Sequence, residues 1–191
     1  MTGEASPDAT RAPDAPRESE RTRSGVPAIQ RNFPKKDPID REGLRERFWE
    51  RIPLSGLSKR EWEALCDGCG KCCLHKFEDP DTAEVAYTRV ACRLLDESTC
   101  RCAQYSNRKL FVSDCLTLSP RNIADNAYWL PETCAYRLLH EGRPLHEWHP
   151  LVSGDSESAH LAGATMRGRT VPEYEIPEED WEEHMMEEPL R

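Results

Sequence analysis

Apolar positions recur at short intervals along the middle of the chain and predict small structural elements rather than long helices. Leu44, Phe48 and Trp49 fit one face of a short helix that Pro53 ends. The folded part is therefore expected to start near Ile39.

A second helix is marked more clearly by its own capping residues. Ser58 and Glu61 have the spacing of a capping box, in which each side chain bonds the other residue's backbone N–H. Trp62 and Leu65 lie three positions apart and share one face of this helix. The helix delivers the chain directly to Cys66, so a packed element is expected to hold the first cysteine.

The pattern from Val85 to Tyr105 predicts a β-hairpin with a turn at residues 96–99. In this hairpin Cys100 and Cys102 would share a face, because side chains two apart along a strand point the same way. A register that pairs Cys92 with Cys102 would add a third thiol to that face. The sequence thus predicts two or three thiols at one edge of the hairpin.

Three further helices are predicted after the hairpin. Ser119 and Pro120 have the pattern of an N-cap followed by a first-turn proline, which opens a helix to about Asn126. A second helix is expected between Pro131 and Gly142, with Cys134 in its first turn. Such a position lowers the pKa of a thiol, although simple packing of Cys134 under the helix is an equal alternative. The third helix is expected at 177–188.

Composition and charge divide the chain into three regions. Residues 1–38 hold six of the fifteen prolines and few large apolar side chains, which predicts a disordered extension, with docking through Ile29 and Phe33 as an alternative. Residues 39–170 are expected to form a cysteine-cluster metal-binding domain. Residues 171–191 contain nine acidic residues and one arginine, a charge of −8, and are expected to form an acidic tail with a short helix.

Several classes of function are disfavoured by the same data. The total charge is −9, so the other 170 residues sum to −1 and offer no basic footprint for nucleic acid. No apolar run reaches the roughly 20 residues of a membrane span, and nothing resembles a secretory signal. We therefore expect a cytoplasmic protein without a membrane or nucleic-acid partner, while a protein partner remains open.

All the cysteines fall within 69 residues, and none occurs elsewhere. In a reducing compartment such clustering favours metal binding over disulfides. The candidate metal ligands are Cys66, Cys69, Cys72, Cys73, Cys92, Cys100, Cys102, Cys115 and Cys134.

The densest part of the cluster is the loop 66–73, with the sequence CDGCGKCC. Its first three cysteines repeat every three residues, and Gly68 and Gly70 permit the sharp bends that aim successive thiolates at one centre. Cys72 and Cys73 are adjacent and project differently, so they are not expected to serve one ion equally. A loop completed by the hairpin is favoured, and two four-ligand sites or one site plus structural thiols both remain open.

The spacing does not decide between iron and zinc. Three cysteines at Cys-x-x-Cys-x-x-Cys suit an iron–sulfur cluster, but the fourth cysteine and proline of the ferredoxin run are replaced by Cys73. The spacing also suits zinc, where His75 could replace a thiolate, although an outer or surface role of His75 is favoured. An iron–sulfur cluster is slightly preferred. His146 and His149 flank Trp148 and are expected to form a structural corner rather than a base.

Three segments together resemble the bacterial YcgN family, within the broader group of zinc- or iron-chelating CxxCxxCC proteins. They are 61–76, 90–102 and 133–151, and the likeness extends over about residues 44–188. Cys102, Tyr105, Arg108 and Cys115 fit a further element of the broader group, with Lys109 where a proline is typical. The resemblance implies metal chelation without a defined reaction.

These observations predict a small, loop-rich, single α+β domain organised around a cysteine-ligated metal centre. Three hypotheses follow for its function. The first is a metal- or cluster-binding protein in electron transfer, cluster handling or metal sensing. The second is a zinc-stabilised interaction module, and the third is a redox or metal-dependent enzyme with an open coordination position.

Overall fold

The computed structural model describes residues 39–186. The predicted disordered extension at 1–38, with its docking alternative, and the last five residues lie outside this range. The predicted division of the chain after residue 170 stays a prediction.

The described chain mixes short helices with short strands, which confirms the α+β class. The α-helices are α1 (Phe48–Arg51), α2 (Lys59–Ala64), α3 (Arg108–Phe111), α4 (Ile123–Asn126), α5 (Ala135–His140), α6 (Pro150–Ser153) and α7 (Ser158–Leu161). The strands are β1 (Leu74–Glu78), β2 (Val85–Ala91), β3 (Leu95–Asp96), β4 (Arg101–Cys102) and β5 (Val171–Pro172). The 3₁₀ helices are Leu54–Gly56, Lys71–Cys73, Tyr105–Asn107, Ala127–Trp129 and Glu178–His184.

The larger of two hydrophobic clusters packs α1 and α2 against α4 and α5. Phe48 and Leu65 are fully buried in it, and the rings of Trp62 and Tyr136 lie 4.8 Å apart. The Tyr136 hydroxyl also donates a hydrogen bond to the carbonyl of Trp62 at 3.0 Å. This cluster therefore fixes the end of α2 against the start of α5, on either side of the cysteine loop.

The capping box predicted for α2 is confirmed. The Glu61 backbone N–H donates to the Ser58 hydroxyl, and the Ser58 N–H donates to the Glu61 carboxylate at 2.8 Å. Arg45 adds a bidentate contact to the same carboxylate, with Nε 2.6 Å from Oε1. These bonds hold the pKa of the buried Glu61 carboxyl at about 2, chiefly through Arg45.

The smaller hydrophobic cluster lies on a three-stranded sheet in the order β1-β2-β5. Strands β1 and β2 are antiparallel, with Leu74 opposite Ala91, and β5 joins β2 in parallel. Leu74, Ala91, Leu95 and Met166 are buried here. The strand β1 is absent from the sequence-based expectation.

The predicted register of the 85–105 hairpin is wrong. Residues 85–91 pair with β1 instead, and the chain turns at once, with the Leu95 N–H donating to the Cys92 carbonyl at 2.9 Å. Strands β3 and β4 then pair Leu95, rather than Cys92, with Cys102. Cys100 lies outside the strand at a φ of +54°, so it does not share a face with Cys102 as predicted.

The turn between β3 and β4 nevertheless has the expected chemistry. The Asp96 carboxylate accepts hydrogen bonds from the Ser98 N–H, the Ser98 hydroxyl and the Thr99 hydroxyl. Asp96 is thus a buried carboxylate in which both oxygens are satisfied.

The segment after β5 lies against the sheet. Within the described residues, the helix predicted at 177–188 is a 3₁₀ helix, Glu178–His184, from which Trp181 stacks on His75 with ring centres 3.9 Å apart. The Met186 N–H donates to the Tyr87 carbonyl at 2.9 Å, and Met185 forms an isolated bridge with Thr88. The acidic segment therefore covers one part of the sheet.

None of the helices at residues 39–186 is both long enough and apolar enough to cross a membrane.

We predict that Glu61→Gln lowers the free energy of unfolding at pH 7 by about 1–3 kcal/mol, because the charged partner of Arg45 in a buried capping box is lost. The pKa of Glu61 is below its ordinary value in the folded state, so its contribution is present above about pH 4.5 and is lost as pH falls toward 2. The difference in the free energy of unfolding between wild type and Glu61→Gln, measured with urea, should therefore narrow as the pH falls from about 4.5 toward 2.

Glu50→Gln is the matched control. Glu50 pairs with Arg47 at 2.7 Å, but both side chains are exposed, and such pairs contribute little. Equal losses in the two variants, or a difference at Glu61 that does not change with pH, would contradict the assignment.

Candidate metal centre

The loop 66–73 begins where α2 ends and is anchored on both sides. His149 is buried, and its Nε2–H donates to the Leu65 carbonyl at 2.9 Å while its Nδ1 accepts from the Leu151 N–H. Further along, the Cys69 carbonyl accepts from the Met166 N–H at 2.8 Å. The loop is therefore tied to α6 and to the segment before β5, and His149 has a structural role, as predicted.

The two glycines of the loop have left-handed backbones, with φ of +73° at Gly68 and +78° at Gly70. A Cβ on Gly68 would lie 2.3 Å from the guanidinium carbon of Arg101, and one on Gly70 would lie 3.2 Å from Sγ of Cys100. Both positions thus need glycine for conformation, and at each of them an added methyl group would require the neighbouring side chain to move. The close approach brings β4 and the turn before it onto the loop.

Cys134 is brought to the same loop by contacts of its neighbours. The buried Lys71 donates from Nζ to the Thr133 hydroxyl at 3.1 Å. Cys134 itself is the N-cap residue of α5, and it packs against the larger hydrophobic cluster together with Cys66. The first and last cysteines of the sequence therefore border one core.

Other cysteines meet at the end of the sheet. The Cys92 N–H donates to the Cys73 carbonyl at 2.8 Å, next to the pairing of Leu74 with Ala91. Cys102 lies opposite Leu95, the residue at which the turn that begins at Cys92 ends. Cys115 follows α3 and is half-buried.

All nine cysteines are free thiols. Burial is the largest influence on the pKa of six of them, Cys66, Cys69, Cys92, Cys100, Cys102 and Cys134. Burial raises the pKa of Cys66 and of Cys92 to about 12, and that of Cys100 to about 11. It also raises the pKa of Cys69. Without a metal these thiols are protonated at neutral pH, and a metal ion must displace their protons to bind.

The expected lowering of the Cys134 pKa is wrong. Burial raises its pKa, and the negative charge of Asp67 raises it further, while N–H groups of α5 act in the opposite direction. The six-residue helix is too short for its dipole to outweigh desolvation.

Cys72 differs from the other loop cysteines. It is exposed, and its Sγ lies 3.9 Å from Sγ of Cys73. The hydrogen bond with Cys73 lowers the pKa of Cys72 and raises that of Cys73. Cys72 therefore forms the solvent-facing edge of the cluster.

Charged groups that the sequence pattern did not indicate surround the loop thiols. Asp67 is buried; its Oδ1 accepts from the Cys69 N–H at 3.0 Å, but its Oδ2 has no hydrogen-bond partner among residues 39–186. Lys71 is buried beside it, and Lys76 lies over the rings of Tyr87 and Trp129, at 5.2 and 5.5 Å. Asp67 and Lys71 lie between the loop cysteines in the sequence. Because a metal-binding loop of this kind is expected to be buried, this position was the signal that could have identified the two charged residues.

The donor set suits a thiophilic metal, since soft thiolates select zinc, copper(I) and iron–sulfur clusters. The unsatisfied Asp67 oxygen among these thiols also suits a bound cation. Within residues 39–186, however, no three His, Cys, Asp or Glu side chains already stand in an arrangement that could hold a metal ion. Four thiolates around zinc lie about 3.8 Å apart. Metal binding therefore requires the thiols to draw together as their protons leave.

Two histidines near the cysteine cluster contact other side chains. His75 contacts the Glu173 carboxylate, which also binds Arg93, and its outer or surface role stays a prediction. His146 stacks on Trp148 with ring centres 4.8 Å apart.

Comparisons with known proteins agree with this picture. The CxxCxxCC family model, described as a "putative zinc- or iron-chelating domain", matches residues 65–135. A UPF0260 protein of Rhodobacter capsulatus is 56% identical over 145 residues, which are 76% of this chain and 97% of the relative. UPF0260 proteins of Sinorhizobium medicae and Ectopseudomonas mendocina are 52% and 54% identical, over 75% and 74% of this chain and 92% and 94% of their own lengths. No solved structure matches.

We predict that Gly68→Ala is more damaging than Gly142→Ala. Both positions have similar left-handed φ values, +73° and +70°, so the backbone strain of about 1–2 kcal/mol is common to both. Only at Gly68 must the methyl group also displace the Arg101 guanidinium, whereas nothing lies within 4 Å at Gly142. Thermal unfolding and bound metal per chain should both be lower for Gly68→Ala. Equal effects would show that the Arg101 guanidinium moves aside at no cost to stability or to metal binding, and would contradict the prediction.

Proposed function

The chain belongs to the UPF0260 family, and from this premise we propose that it binds iron or zinc through the thiolates of its cysteine cluster, with an iron–sulfur cluster as the favoured form. The residues that would hold the group are Cys66, Cys69 and Cys72 of the loop together with Cys134. Such a group would supply a redox-active or structural centre within the fold.

The buried oxygen of Asp67 is the observation that carries this proposal. A buried carboxylate oxygen without a hydrogen bond is unfavourable, and more so when the neighbouring groups become thiolates. Negative charge on Asp67 raises the pKa values of Cys66, Cys69 and Cys134, after burial, which is the larger cause. A bound cation would offset this repulsion and stabilise the thiolate forms of these cysteines.

Lysine side chains around the cluster support an anionic centre. Lys71 is 1% exposed, and burial lowers its pKa, whereas negative charge on Cys69, Asp67 and Cys134 favours its charged form. Lys76 responds in the same way to Cys72 and Cys73. Buried ammonium groups are stabilised next to thiolates and not next to neutral thiols. The lysines are thus placed to compensate the net negative charge of a metal–thiolate centre.

The preference for iron–sulfur over zinc is supported by ligand order. Three cysteines at two-residue spacing on one loop with a remote fourth resemble the arrangement in bacterial ferredoxin loops. The hydrogen bond from Lys71 to Thr133 supports Cys134 as the remote ligand, in preference to the hairpin cysteines that the sequence favoured. Nine free thiols also fit a reducing, cytoplasmic location, which we include in the proposal.

Elemental analysis of anaerobically purified protein tests the proposal directly. We expect stoichiometric iron and acid-labile sulfide, with a visible absorption band that bleaches on reduction. Colourless protein with stoichiometric zinc would contradict the iron–sulfur cluster but would agree with metal binding by the cysteines. Protein free of iron, sulfide and zinc would contradict the proposal. Cys69→Ser should lose the metal and lower the thermal stability together.

The role of Asp67 gives a second test. Asp67 raises the pKa values of Cys66, Cys69 and Cys134, so Asp67→Asn should allow the cluster to take up metal at lower pH, because a like charge beside the thiolates is lost. The same change should stabilise the metal-free protein, because a buried charge without a hydrogen bond on one oxygen is removed.

Asp96→Asn is the matched control, because Asp96 is equally buried but both its oxygens accept hydrogen bonds. This variant should destabilise the metal-free protein. Stabilisation of both variants, or of neither, in urea unfolding of the metal-free forms would contradict the assignment to Asp67.

A further inference from the structure

Cys72 and Cys73, the vicinal pair, form the one thiol–thiol contact among residues 39–186, with their Sγ atoms 3.9 Å apart. Cys72 is the one exposed cysteine of the nine, and Cys73 is half-buried. The proposed function assigns Cys72 to the loop ligands and gives Cys73 no role. The vicinal pair is therefore a surface dithiol whose chemistry extends beyond the four thiolates of the proposed centre.

The backbone is held on both sides of the peptide that joins the two cysteines. The Cys73 N–H donates to the Gly70 carbonyl at 3.1 Å, and the Cys72 carbonyl accepts from Nζ of Lys76 at 3.4 Å. The Cys73 carbonyl accepts in turn from the Cys92 N–H at 2.8 Å. This backbone is fixed before any ligand binds, which lowers the entropic cost of closing a ring through both sulfurs.

The distance between the two sulfurs favours a bridging atom over a direct bond. A disulfide needs the sulfurs about 2.0 Å apart, so the pair would have to close by roughly half its separation. That closure would also distort the connecting peptide, whose N–H and carbonyl are both hydrogen-bonded. Two sulfurs bonded at about 2.3 Å to one atom, as in zinc–thiolate sites, lie about 3.3–3.8 Å apart for bond angles of about 90–110°. A single thiophilic atom thus fits the vicinal pair with little movement.

The number of thiols that meet here selects the kind of atom. Structural zinc and iron–sulfur clusters usually take four protein ligands, and among residues 39–186 no group of three His, Cys, Asp or Glu side chains could hold a metal ion. Trivalent arsenic forms three bonds in a pyramid, of which two go to a pair of thiols while the third keeps oxygen or carbon. Its bonds to sulfur are similar in length to those of zinc.

We propose that Cys72 and Cys73 form a binding site for trivalent arsenicals, in which one arsenic atom bridges the two sulfurs. The site goes beyond the proposed function, because it uses Cys73 and a different class of ligand. It shares Cys72 with the proposed metal centre, so an arsenical bound here competes with the metal for that thiolate.

The capture needs no oxidant. With phenylarsine oxide as the arsenical, the bond from arsenic to oxygen breaks, two arsenic–sulfur bonds form, and the oxygen leaves as water with the protons of both thiols. Arsenic stays trivalent and the sulfurs keep their oxidation state, so no electrons are transferred. The exposed Cys72 is reached first from solvent, and the bond to Cys73 then closes within one molecule. A two-thiol adduct is therefore far more durable than a one-thiol adduct.

The other closely spaced cysteines are less accessible than the vicinal pair. Cys69 is 8% exposed, and Cys66 packs against the larger hydrophobic cluster. Cys100 is 5% exposed within the smaller cluster, two residues before Cys102. A reagent in solvent therefore reaches two thiols in contact with each other only at the vicinal pair.

Differential alkylation of the full-length protein as purified tests the site. The protein is reduced with a phosphine and treated with one equivalent of phenylarsine oxide, and the remaining thiols are alkylated in denaturant with a chelator. A small dithiol then removes the arsenical, and the thiols it protected receive an isotopically heavy label. Trypsin cleaves after Lys71 and Lys76, so the peptide 72–76, CCLHK, carries both cysteines of the pair and no other. We expect one arsenic per chain and heavy label on both thiols of this peptide.

Cys73→Ser should lose the arsenical to an excess of glutathione, because only a one-thiol adduct can form. Cys115→Ser is the matched control and should keep it. Cys115 is half-buried like Cys73, but its S–H donates to the Leu116 carbonyl instead of contacting a thiol. If Cys73→Ser does not fold, the position of the heavy label in wild type decides.

More heavy label on the tryptic peptide 61–71, which carries Cys66 and Cys69, than on 72–76 would overturn the proposal. Absence of heavy label, or retention of the arsenical by folded Cys73→Ser, would overturn it as well. The metal content of the untreated protein, measured in parallel, tests the proposed function separately.

Discussion

Thiols and a carboxylate are buried together in the loop 66–73, and this concentration of groups that become anionic constrains the rest of the structure. The protein interior accepts them while the thiols are protonated, but Asp67 still has an unsatisfied oxygen, and Lys71 is a buried cation beside it. A thiophilic metal stabilises the thiolates, because it replaces several protons with one multivalent cation, and the buried Lys71 offsets part of the negative charge of the resulting centre. Metal binding by this loop is therefore expected to be coupled to the stability of the fold.

The position of the loop explains why the fold would depend on it. Cys66 packs against the larger hydrophobic cluster, whereas Cys73 packs against the smaller one, so eight residues connect two small cores. The elements around them are short, with no α-helix among residues 39–186 exceeding six residues. Structural zinc contributes roughly 10–16 kcal/mol, which is comparable to the whole stability of a typical domain. Metal binding could thus supply most of the free energy that holds the two cores together.

Local features were predictable from the sequence, and features that depend on distant contacts were not. The capping box at Ser58 and Glu61 involves neighbouring residues, so its pattern was sufficient. The register of Cys92 was not predictable in this way, because β2 pairs with β1, which directly follows the cysteine loop. The sequence of β1 shows no clear alternation of apolar and polar residues. The acidity of Cys134 depends on burial and on Asp67, which approach it only in the folded chain.

Thermal unfolding of one protein sample before and after complete removal of metal by a chelator shows whether the metal holds the fold together. We expect the melting temperature to fall by tens of degrees, or the cooperative transition to disappear, and we expect restored metal to recover it. A sample shown by elemental analysis to be free of iron and zinc, with the same circular dichroism spectrum and melting temperature as before, would contradict this expectation.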